Sequence, residues 1–430
     1  MTLNDQAWSR YFKASSVLER IRREGYAYIT ADDLRELGQR EPRLMAKMDT
    51  LHSRPQVFRD NALTIFPVKN GEYVIFEDSE RKSYFEFGTQ LDRVPVRRYD
   101  SRVDLRSFDS YPREQSLNEA QAIDFAFISS LFKAHTSDED LRLTIRGRFY
   151  SGQFEFDLGR IRHRVQVASV QIEVDAGYES DSAIYLIEAK VGRRENFHIR
   201  QLYYPYLEWS NRSQKSIVPI FLVYSNGKYC LTEFSFGKDF GDLRIVRVEC
   251  YIINESPTPA VDISRLLVTI VEEEEPDEVP YPQADDLDKV VDVVKLIGGG
   301  ADDKVQLAEL FEFDERQGDY YANAGCYLGF VRREGRRFVL THLGREFVQL
   351  ESFSERTKSL LSRMLARPTF RALFVLLVAN RFGLDAIENA KIAEIIASHT
   401  SLTGSTPLRR ASTVRSWTRW MLENCQLSIS

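Results

Sequence analysis

The first 80 residues combine helical spacing with a short hairpin pattern. Between Trp8 and Ile21 the apolar residues recur at the spacing of one helical face. Two extended runs follow at 63–68 and 73–76, and the dipeptide Asn70-Gly71 between them is a strong signal for a two-residue hairpin turn. Helices followed by a hairpin predict a winged helix, and an α+β cap is the alternative with the same pattern.

The middle of the chain, from about residue 115 to 265, consists mainly of alternating or wholly apolar runs. A helical pattern at 117–132 precedes these runs and another at 195–204 interrupts them. Strands gathered in one block, with helices before and within it, predict a mixed β-sheet covered by helices. The predicted strands are 149–156, 165–175, 184–190, 217–224, 229–236 and 245–253.

The pattern becomes helical again after residue 286. Helices are predicted at 287–297, 304–311 and 316–328, and a hairpin at 330–340 carries four arginines around its turn. Three helices and a basic hairpin are the parts of a second winged helix, in which the third helix enters the major groove of DNA and the hairpin contacts its backbone. The segment from about residue 352 onward fits either another helix-turn-helix unit or a bundle that only forms a homodimer.

Charge is distributed unevenly along the chain. The net charge is -6 and the pI about 5.7, which alone argues against nucleic-acid binding because phosphate contacts rely on positive potential. Residues 272–278 are all acidic except for one proline and resemble a linker, whereas residues 356–430 contain 11 Lys/Arg against 4 Asp/Glu, a net of 11 - 4 = +7. Together, the hydrophobic patterns and the charge distribution divide the chain into four units and an acidic linker. The units are 1–110, 111–268, 287–351 and 352–430, and the linker is 269–286.

The sequence also bears on the compartment and on the cysteines. No apolar run approaches the ~20 residues that a bilayer-spanning helix needs, and the first residues lack the form of a signal peptide. We therefore expect a cytoplasmic protein with no membrane partner.

The cysteines are spaced far apart, without any Cys-x-x-Cys pair, which argues against a zinc ribbon or a disulfide framework. We therefore expect the cysteines to be small, buried apolar side chains. The four cysteines are Cys230, Cys250, Cys326 and Cys425.

The strand predicted at 184–190 ends in charged residues that are unusual for an apolar strand. Side chains alternate between the two faces of a strand, so Glu188 and Lys190 project together. Burying these charges is unfavourable unless they pair or bind a cation. Asp175 lies at the end of the preceding strand, and two carboxylates at neighbouring strand ends suit Mg²⁺. Lys190 beside such an ion would orient water and stabilise negative charge, as phosphodiester hydrolysis requires.

This constellation resembles the PD-(D/E)XK nuclease superfamily, in which an acid precedes a short strand bearing Glu-x-Lys, here Asp175 followed by residues 188–190. Val174 stands where the superfamily has proline, a position that holds no ligand. Glu173 lies on the same face as Asp175, so either acid is a candidate first metal ligand. The resemblance implies an α+β or α/β fold with a restriction-endonuclease-like mixed sheet, Mg²⁺ as cofactor, and Asp175, Glu188 and Lys190 as catalytic residues.

The resemblance also implies supporting residues on two helices. In several branches of the superfamily a Gln and a Tyr on the helix after the motif approach the site, which indicates Gln201 as a catalytic residue and Tyr204 as its neighbour. A Glu on the first helix completes the metal shell in many members. Glu119 and Asp124 are the candidates here.

The flanking regions resemble the same class of enzyme. Residues 314–324 and 340–344 resemble the winged-helix module attached to some Type II restriction endonucleases, and residues 40–76 resemble an N-terminal module of those proteins. The resemblance implies a Type II restriction enzyme that cuts double-stranded DNA at a specific sequence, with a cognate DNA methyltransferase as its partner in the restriction-modification system. The expected DNA contacts are Arg316, Tyr320, Tyr321, Asn323, Arg333, Arg336, Arg43 and Lys47.

Two other functions are consistent with these residues. A repair or transposition nuclease would share the chemistry but would recognise a DNA structure or a partner protein. A regulator that binds DNA without cutting it would share the fold. Decayed sites usually lose a ligand, whereas Asp175, Glu188 and Lys190 are all present.

Overall fold

The computed structural model describes residues 2–88, 91, 94–112, 117–158, 163–192, 194–238, 240–311 and 315–429. Residue 314, at the start of one stretch that resembles a winged-helix module, lies outside these ranges. Within them the chain is mixed α/β and is built around one large mixed sheet. No helix in the described ranges is long and apolar enough to span a membrane.

The N-terminal region packs helices around a small antiparallel sheet. The predicted hairpin is present, and Gly71 has a left-handed φ of +77° at its turn. A strand at 26–30, which the sequence pattern did not predict, pairs with the second strand of this hairpin. The elements are α1 (Leu3–Ala14), α2 (Val17–Glu24), β1 (Tyr26–Thr30), α3 (Ala31–Gly38), α4 (Pro42–Ala46), α5 (Gln56–Asp60), β2 (Leu63–Lys69) and β3 (Glu72–Glu77).

The central region contains the large sheet. Its elements are β4 (Tyr84–Glu86), β5 (Val96–Tyr99), α6 (Glu119–Ile128), α7 (Leu131–Thr136), β6 (Arg142–Tyr150), β7 (Gln153–Asp157), β8 (Arg164–Ala168), β9 (Gln171–Glu179), β10 (Ala183–Val191), β11 (Asn196–His198), α8 (Arg200–Arg212), β12 (Ser216–Ser225), β13 (Lys228–Phe236), β14 (Leu243–Ile253), β15 (Ala260–Asp262) and α9 (Ile263–Thr269). Seven strands lie in the order β5-β14-β13-β12-β10-β9-β6. The pairs β10/β12 and β5/β14 are parallel and the others antiparallel. Helix α8 lies in the crossover between β10 and β12, as a parallel pair requires.

Helices cover both faces of this sheet. Helices α6 and α7 pack on one face and α8 on the other. On β10, Ile184 and Leu186 face α8, whereas Ile187 and Ala189 face α6 and α7. Strand β10 is therefore buried on both sides, as its apolar composition predicts.

Two helices differ from the predicted boundaries. The helix expected at 117–132 is divided into α6 and α7 at Ser130, which has a φ of +64°. The helix expected at 195–204 begins only at Arg200, because residues 196–198 form β11 and pair with β4. That pairing joins distant segments, so local hydrophobic spacing gave no sign of it.

A disulfide bond joins Cys230 and Cys250, which corrects the expectation that these cysteines are unbonded. The two residues are direct partners on the antiparallel strands β13 and β14, with their Cα atoms 4.1 Å apart. They are separated by 20 positions in the sequence, so only the strand register brings them together. Cys326 and Cys425 are free and buried, as predicted.

The C-terminal region is mainly helical. Its elements are α10 (Leu287–Gly298), α11 (Lys304–Phe311), α12 (Glu315–Tyr327), β16 (Val331–Glu334), β17 (Arg337–Leu340), α13 (His342–Val348), α14 (Phe353–Leu365), α15 (Pro368–Ala379), α16 (Asn389–His399), α17 (Thr406–Asn424) and β18 (Gln426–Ser428). Helices α10 to α12 and the hairpin β16–β17 lie where the sequence predicts them. One hydrophobic core extends from Val261 to Cys425. The segments predicted as separate units at 287–351 and 352–430 therefore pack against each other.

The acidic stretch expected to be a linker is bound to the C-terminal helices. Glu273 forms a 2.6 Å ion pair with Arg363 on α14. Glu275 accepts a 2.8 Å hydrogen bond from the Tyr327 hydroxyl on α12. A free linker would leave these carboxylates in water, so this stretch is instead a packed connection.

Candidate active site

The ladder between β9 and β10 ends where the charged residues begin. Its last pair is Ile187 with Ala176, and the next positions along the two strands are Glu188 and Asp175. Directly opposed residues of an antiparallel pair lie on the same face. The two carboxylates therefore project from one side of the sheet, and Lys190, two positions beyond Glu188, projects from that side as well.

Hydrogen bonds hold this cluster in place. Asp175 Oδ2 accepts the backbone N–H of Ala189 at 2.8 Å. Glu188 Oε1 accepts hydrogen bonds from Lys190 Nζ and Gln201 Nε2, both at 2.7 Å. In the described part of the chain, no donor is hydrogen-bonded to Asp175 Oδ1 or Glu188 Oε2. Each carboxylate is thus fixed through one oxygen and leaves the other for a ligand.

Burial makes negative charge unfavourable at this site. Glu188 and Lys190 are only 7% and 8% exposed. Burial and the Asp175 carboxylate, opposed by the Lys190 ammonium, raise the pKa of Glu188 to about 8. Burial also raises the pKa of Asp175. The chain's own positive charge therefore does not compensate both carboxylates, and a cation bound between them would favour their charged forms.

The donor set fits Mg²⁺. This ion commonly takes one or two carboxylates and completes its shell with water and substrate phosphate oxygens. Within the described ranges, no group of three or more histidine, cysteine or carboxylate side chains is placed to hold a metal ion. A cation at Asp175 and Glu188 would accordingly need oxygen ligands from water or from a phosphate.

Asp175, not Glu173, is the β9 acid that lies beside Glu188. Glu173 is 55% exposed in its side chain and forms a 3.0 Å ion pair with Arg148 on β6. Glu173 also lines the cleft next to this cluster, but its carboxylate pairs with Arg148 and not with Lys190. The register of β9 thus separates the two candidates that the sequence left open.

The two candidate acids on α6 also differ. Glu119 Oε1 lies 3.9 Å from Lys190 Nζ and lines the same cleft. Asp124 instead accepts a 2.6 Å hydrogen bond from Arg146 on β6. Glu119 is therefore the helix acid that the structure brings to the site.

Tyr204 supports the site indirectly. Its side chain is buried, and its hydroxyl donates a 2.7 Å hydrogen bond to the carbonyl of Pro67 on β2. This bond connects α8 to the N-terminal hairpin. The hairpin is thereby held next to the part of β9 and β10 that carries the carboxylates.

A cleft of about 560 Å³ lies between the carboxylate cluster and the N-terminal hairpin, and we call it the active-site cleft. Asp175, Glu188, Lys190 and Gln201 line it on the side of the sheet. The basic side chains that line it are Arg43, Lys47, Lys69, Arg148 and Arg200. The sequence pattern predicted the first two as DNA contacts and did not indicate the other three. The one available signal was the position of Arg200 next to Gln201.

The structure exposes only part of the interface predicted on α12 and its hairpin. Arg316 and Arg336 are exposed, and Tyr320 is half-buried. Tyr321 and Asn323 are only 6% and 7% exposed, because every residue from 321 to 328 is buried at this end of α12. Their side chains are therefore not available to DNA, which corrects the expectation for these two residues.

Many arginines of the C-terminal region hold the fold together. Arg333 is paired with Asp319 and lies 4.8 Å from the centre of the Phe338 ring. Arg367, on the segment between α14 and α15, donates a 3.0 Å hydrogen bond to the Tyr327 carbonyl. The net charge of +7 over residues 356–430 therefore overstates the basic surface of that segment.

Three families of unknown function match the chain. Residues 5–75 match Domain of unknown function (DUF6996), residues 79–252 match Domain of unknown function (DUF6997), and residues 289–426 match Domain of unknown function (DUF7226). No curated protein and no solved structure matches the chain. The carboxylate cluster and the helix α8 lie within the second match, and none of the three descriptions states an activity.

Proposed function

We propose that the chain is a Mg²⁺-dependent endonuclease of the PD-(D/E)XK type that cuts double-stranded DNA at a specific sequence, as a Type II restriction enzyme does. The observation that carries this proposal is the convergence of Asp175, Glu188 and Lys190, where the ladder between β9 and β10 ends, in one cleft that basic side chains also line. Phosphodiester hydrolysis needs acids that hold a divalent cation and a fixed positive charge next to the reacting phosphate.

Each residue of the cluster has its own part in this reaction. Asp175 Oδ1 and Glu188 Oε2 would hold Mg²⁺, which when bound lowers the pKa of water and neutralises charge on the scissile phosphate. Lys190 orients the attacking water and stabilises the negative charge that develops on the phosphate. Gln201 keeps Glu188 in position through its 2.7 Å hydrogen bond. Glu119 lies near the Lys190 ammonium and helps to keep it charged.

The flanking regions provide DNA binding in this proposal. Arg43, Lys47 and Arg200 line the active-site cleft and would contact the phosphate backbone. Helices α10 to α12 with the hairpin β16–β17 would act as a winged helix, with Arg316 and Arg336 exposed for contacts. Base contacts of this kind supply sequence specificity, since each good bidentate pair is worth roughly 1 to 3 kcal/mol.

Digestion of plasmid DNA by the purified chain tests the proposal. With Mg²⁺ we expect discrete fragments with 5′-phosphate and 3′-hydroxyl ends, and in EDTA we expect intact plasmid. Sequencing the ends separates the alternatives, because a restriction enzyme leaves ends that share one short sequence and a repair or transposition nuclease does not. DNA binding without cleavage in either Mg²⁺ or Mn²⁺ would contradict the proposal and favour a DNA-binding regulator.

A further inference from the structure

Two uncharged amide side chains line the active-site cleft, one from each wall. Asn70 lies at the turn of the hairpin between β2 and β3, and Gln171 is the first residue of β9. Both side chains are exposed, and neither amide makes a hydrogen bond with the described part of the chain. Exposed amides are hydrated in the free protein and can exchange that water for a ligand that offers matching groups.

The basic side chains of the cleft, in contrast to these amides, already have acidic partners. The pairs outside the carboxylate cluster, with N–O distances between 3.0 and 3.8 Å, are Arg43 with Glu41, Lys47 with Asp49, Lys69 with Glu72, Arg148 with Glu173, and Arg200 with Asp49. Within the described lining, the one other polar side chain that makes no hydrogen bond or ion pair is the half-buried Tyr73. Cationic groups bind phosphates, which carry no sequence information. The amides are therefore the groups of the cleft best suited to contact bases.

Turn formation does not account for asparagine at position 70. Asparagine is common in turns because it tolerates a left-handed φ and because its side chain bonds to the nearby backbone. Here Gly71 takes the left-handed position, with a φ of +77°, and Asn70 does not have a positive φ. The Asn70 amide also makes no hydrogen bond to the described backbone. This side chain is therefore available to a ligand without cost to the turn.

Hydrogen bonds from two helices fix the position of the hairpin turn. The Gly71 carbonyl accepts a 2.7 Å hydrogen bond from the backbone N–H of Ala31 at the start of α3. The carbonyl of Pro67 accepts the 2.7 Å bond from the Tyr204 hydroxyl on α8. A recognition side chain on a fixed turn loses less conformational freedom on binding than one on a free loop.

Gln171 lies on the same strand as a candidate metal ligand. Gln171, Glu173 and Asp175 occupy alternate positions of β9, and all three line the cleft. Four residues of a strand span about 13 Å, which corresponds to about four nucleotide steps along DNA. DNA that follows β9 with its scissile phosphate at Asp175 therefore presents bases to Gln171 within about four nucleotides.

We propose that Asn70 and Gln171 determine sequence specificity, each by contacting an adenine near the scissile phosphate. This assignment rests on the nuclease function proposed above. In the major groove adenine presents the N7 acceptor beside the N6 amino donor, and the N–H and carbonyl groups of one amide match that pair. The recognition site therefore contains two adenines, one contacted from each wall of the cleft.

Selection of bound duplexes from a DNA library with randomised positions tests this inference. The full chain is used in EDTA, so that cleavage does not remove any duplex, and we expect the wild type to enrich adenine at fixed positions. Asn70→Ala and Gln171→Ala should each lower the preference for adenine at one position, by between about 5-fold and 150-fold. Gln166→Ala is the matched control, because Gln166 is an exposed amide of β8 outside the cleft, and it should select the wild-type sequence.

A base analogue separates base contact from a structural effect of the substitutions. 7-Deazaadenine lacks the N7 acceptor, so at a selected adenine it should weaken binding by the wild type but not by the variant that has lost this contact. The inference is overturned if both alanine variants select the wild-type sequence, if they weaken all duplexes equally, or if the lost preference is for another base. Failure of the wild type to cleave in Mg²⁺ while it still selects these adenines would contradict the nuclease function and support the base contacts.

Discussion

Replacing Glu188 by glutamine is expected to stabilise the metal-free protein increasingly as the pH rises. Glu188 is buried, and its pKa is about 8 in the folded chain against 4.5 for an ordinary glutamate. A carboxyl group whose folded pKa is raised binds its proton more tightly in the folded state. It therefore lowers the stability as the pH rises above the unfolded pKa, and the loss is complete above the folded pKa.

The size of this effect follows from the pKa difference, at about 1.4 kcal/mol per unit. The loss is about 3 kcal/mol at pH 7 and about 5 kcal/mol well above pH 8. Glu188→Gln removes this loss, and its Oε1 can still accept the hydrogen bond from Lys190 Nζ, because the folded Glu188 carboxyl is itself mostly protonated at pH 7. The variant should therefore be more stable than the wild type by about 3 kcal/mol at pH 7 and by about 1 kcal/mol at pH 5.

Urea unfolding in EDTA at several pH values between 5 and 8 measures this difference. We expect the free energy of unfolding of Glu188→Gln, relative to the wild type, to increase by about 3 kcal/mol across that range. Glu179→Gln on β9 is the control, because Lys215 lowers the pKa of that partly exposed carboxyl and no such increase should follow. Parallel pH profiles for Glu188→Gln and the wild type would refute the reasoning that burial leaves this carboxylate in need of a cation.

Three further substitutions test other parts of the site. Lys190→Met should lower the cleavage rate by at least about 100-fold and leave DNA affinity in EDTA nearly unchanged in gel-shift titrations; cleavage near the wild-type rate would contradict its role. Arg200→Ala should weaken DNA binding and reduce the salt dependence by about one counterion, so an unchanged salt slope would exclude a phosphate contact. Gly177→Ala should destabilise the sheet by about 1 to 3 kcal/mol, because the added Cβ would lie 2.7 Å from Ile145 Cβ; a wild-type midpoint in urea would contradict the tight packing of β9 on β6.

Local patterns predicted the strands that carry the site. The runs predicted at 184–190 and 217–224 lie within β10 and β12. They were recognisable because a strand buried on both faces must be almost wholly apolar. Glu188 and Lys190 were recognisable as candidate site residues because charged residues in an otherwise apolar buried strand need a specific partner.

The register of the strands could not be predicted from the sequence. Glu173 and Asp175 have the same parity on β9, and only the pairing of Ile187 with Ala176 places Asp175 opposite Glu188. Register depends on turn geometry and on packing against the rest of the fold. The spacing of apolar residues within one strand gives no information on either. The disulfide between β13 and β14 could not be predicted for the same reason, because it depends on the register of those two strands.

Tertiary packing decided which predicted DNA contacts are accessible. Tyr321 and Asn323, which were predicted to contact DNA, are buried, and Arg367, which adds to the net positive charge of residues 356–430, donates to a backbone carbonyl. The sequence alone does not distinguish a buried arginine that binds backbone carbonyls from an exposed arginine. The predicted interface was therefore larger than the surface that the fold presents.

Parallel digestion of one plasmid by the wild type, Glu188→Gln and Glu208→Gln in Mg²⁺ tests the central claim most directly. Glu208 is also buried, but it lies on α8 outside the active-site cleft and accepts a 2.9 Å hydrogen bond from the Gly152 N–H. We predict identical discrete fragments from the wild type and Glu208→Gln and intact plasmid with Glu188→Gln. Intact plasmid with the wild type, or fragments from Glu188→Gln at the wild-type rate, would contradict the assignment of a Mg²⁺-dependent nuclease site to Asp175, Glu188 and Lys190.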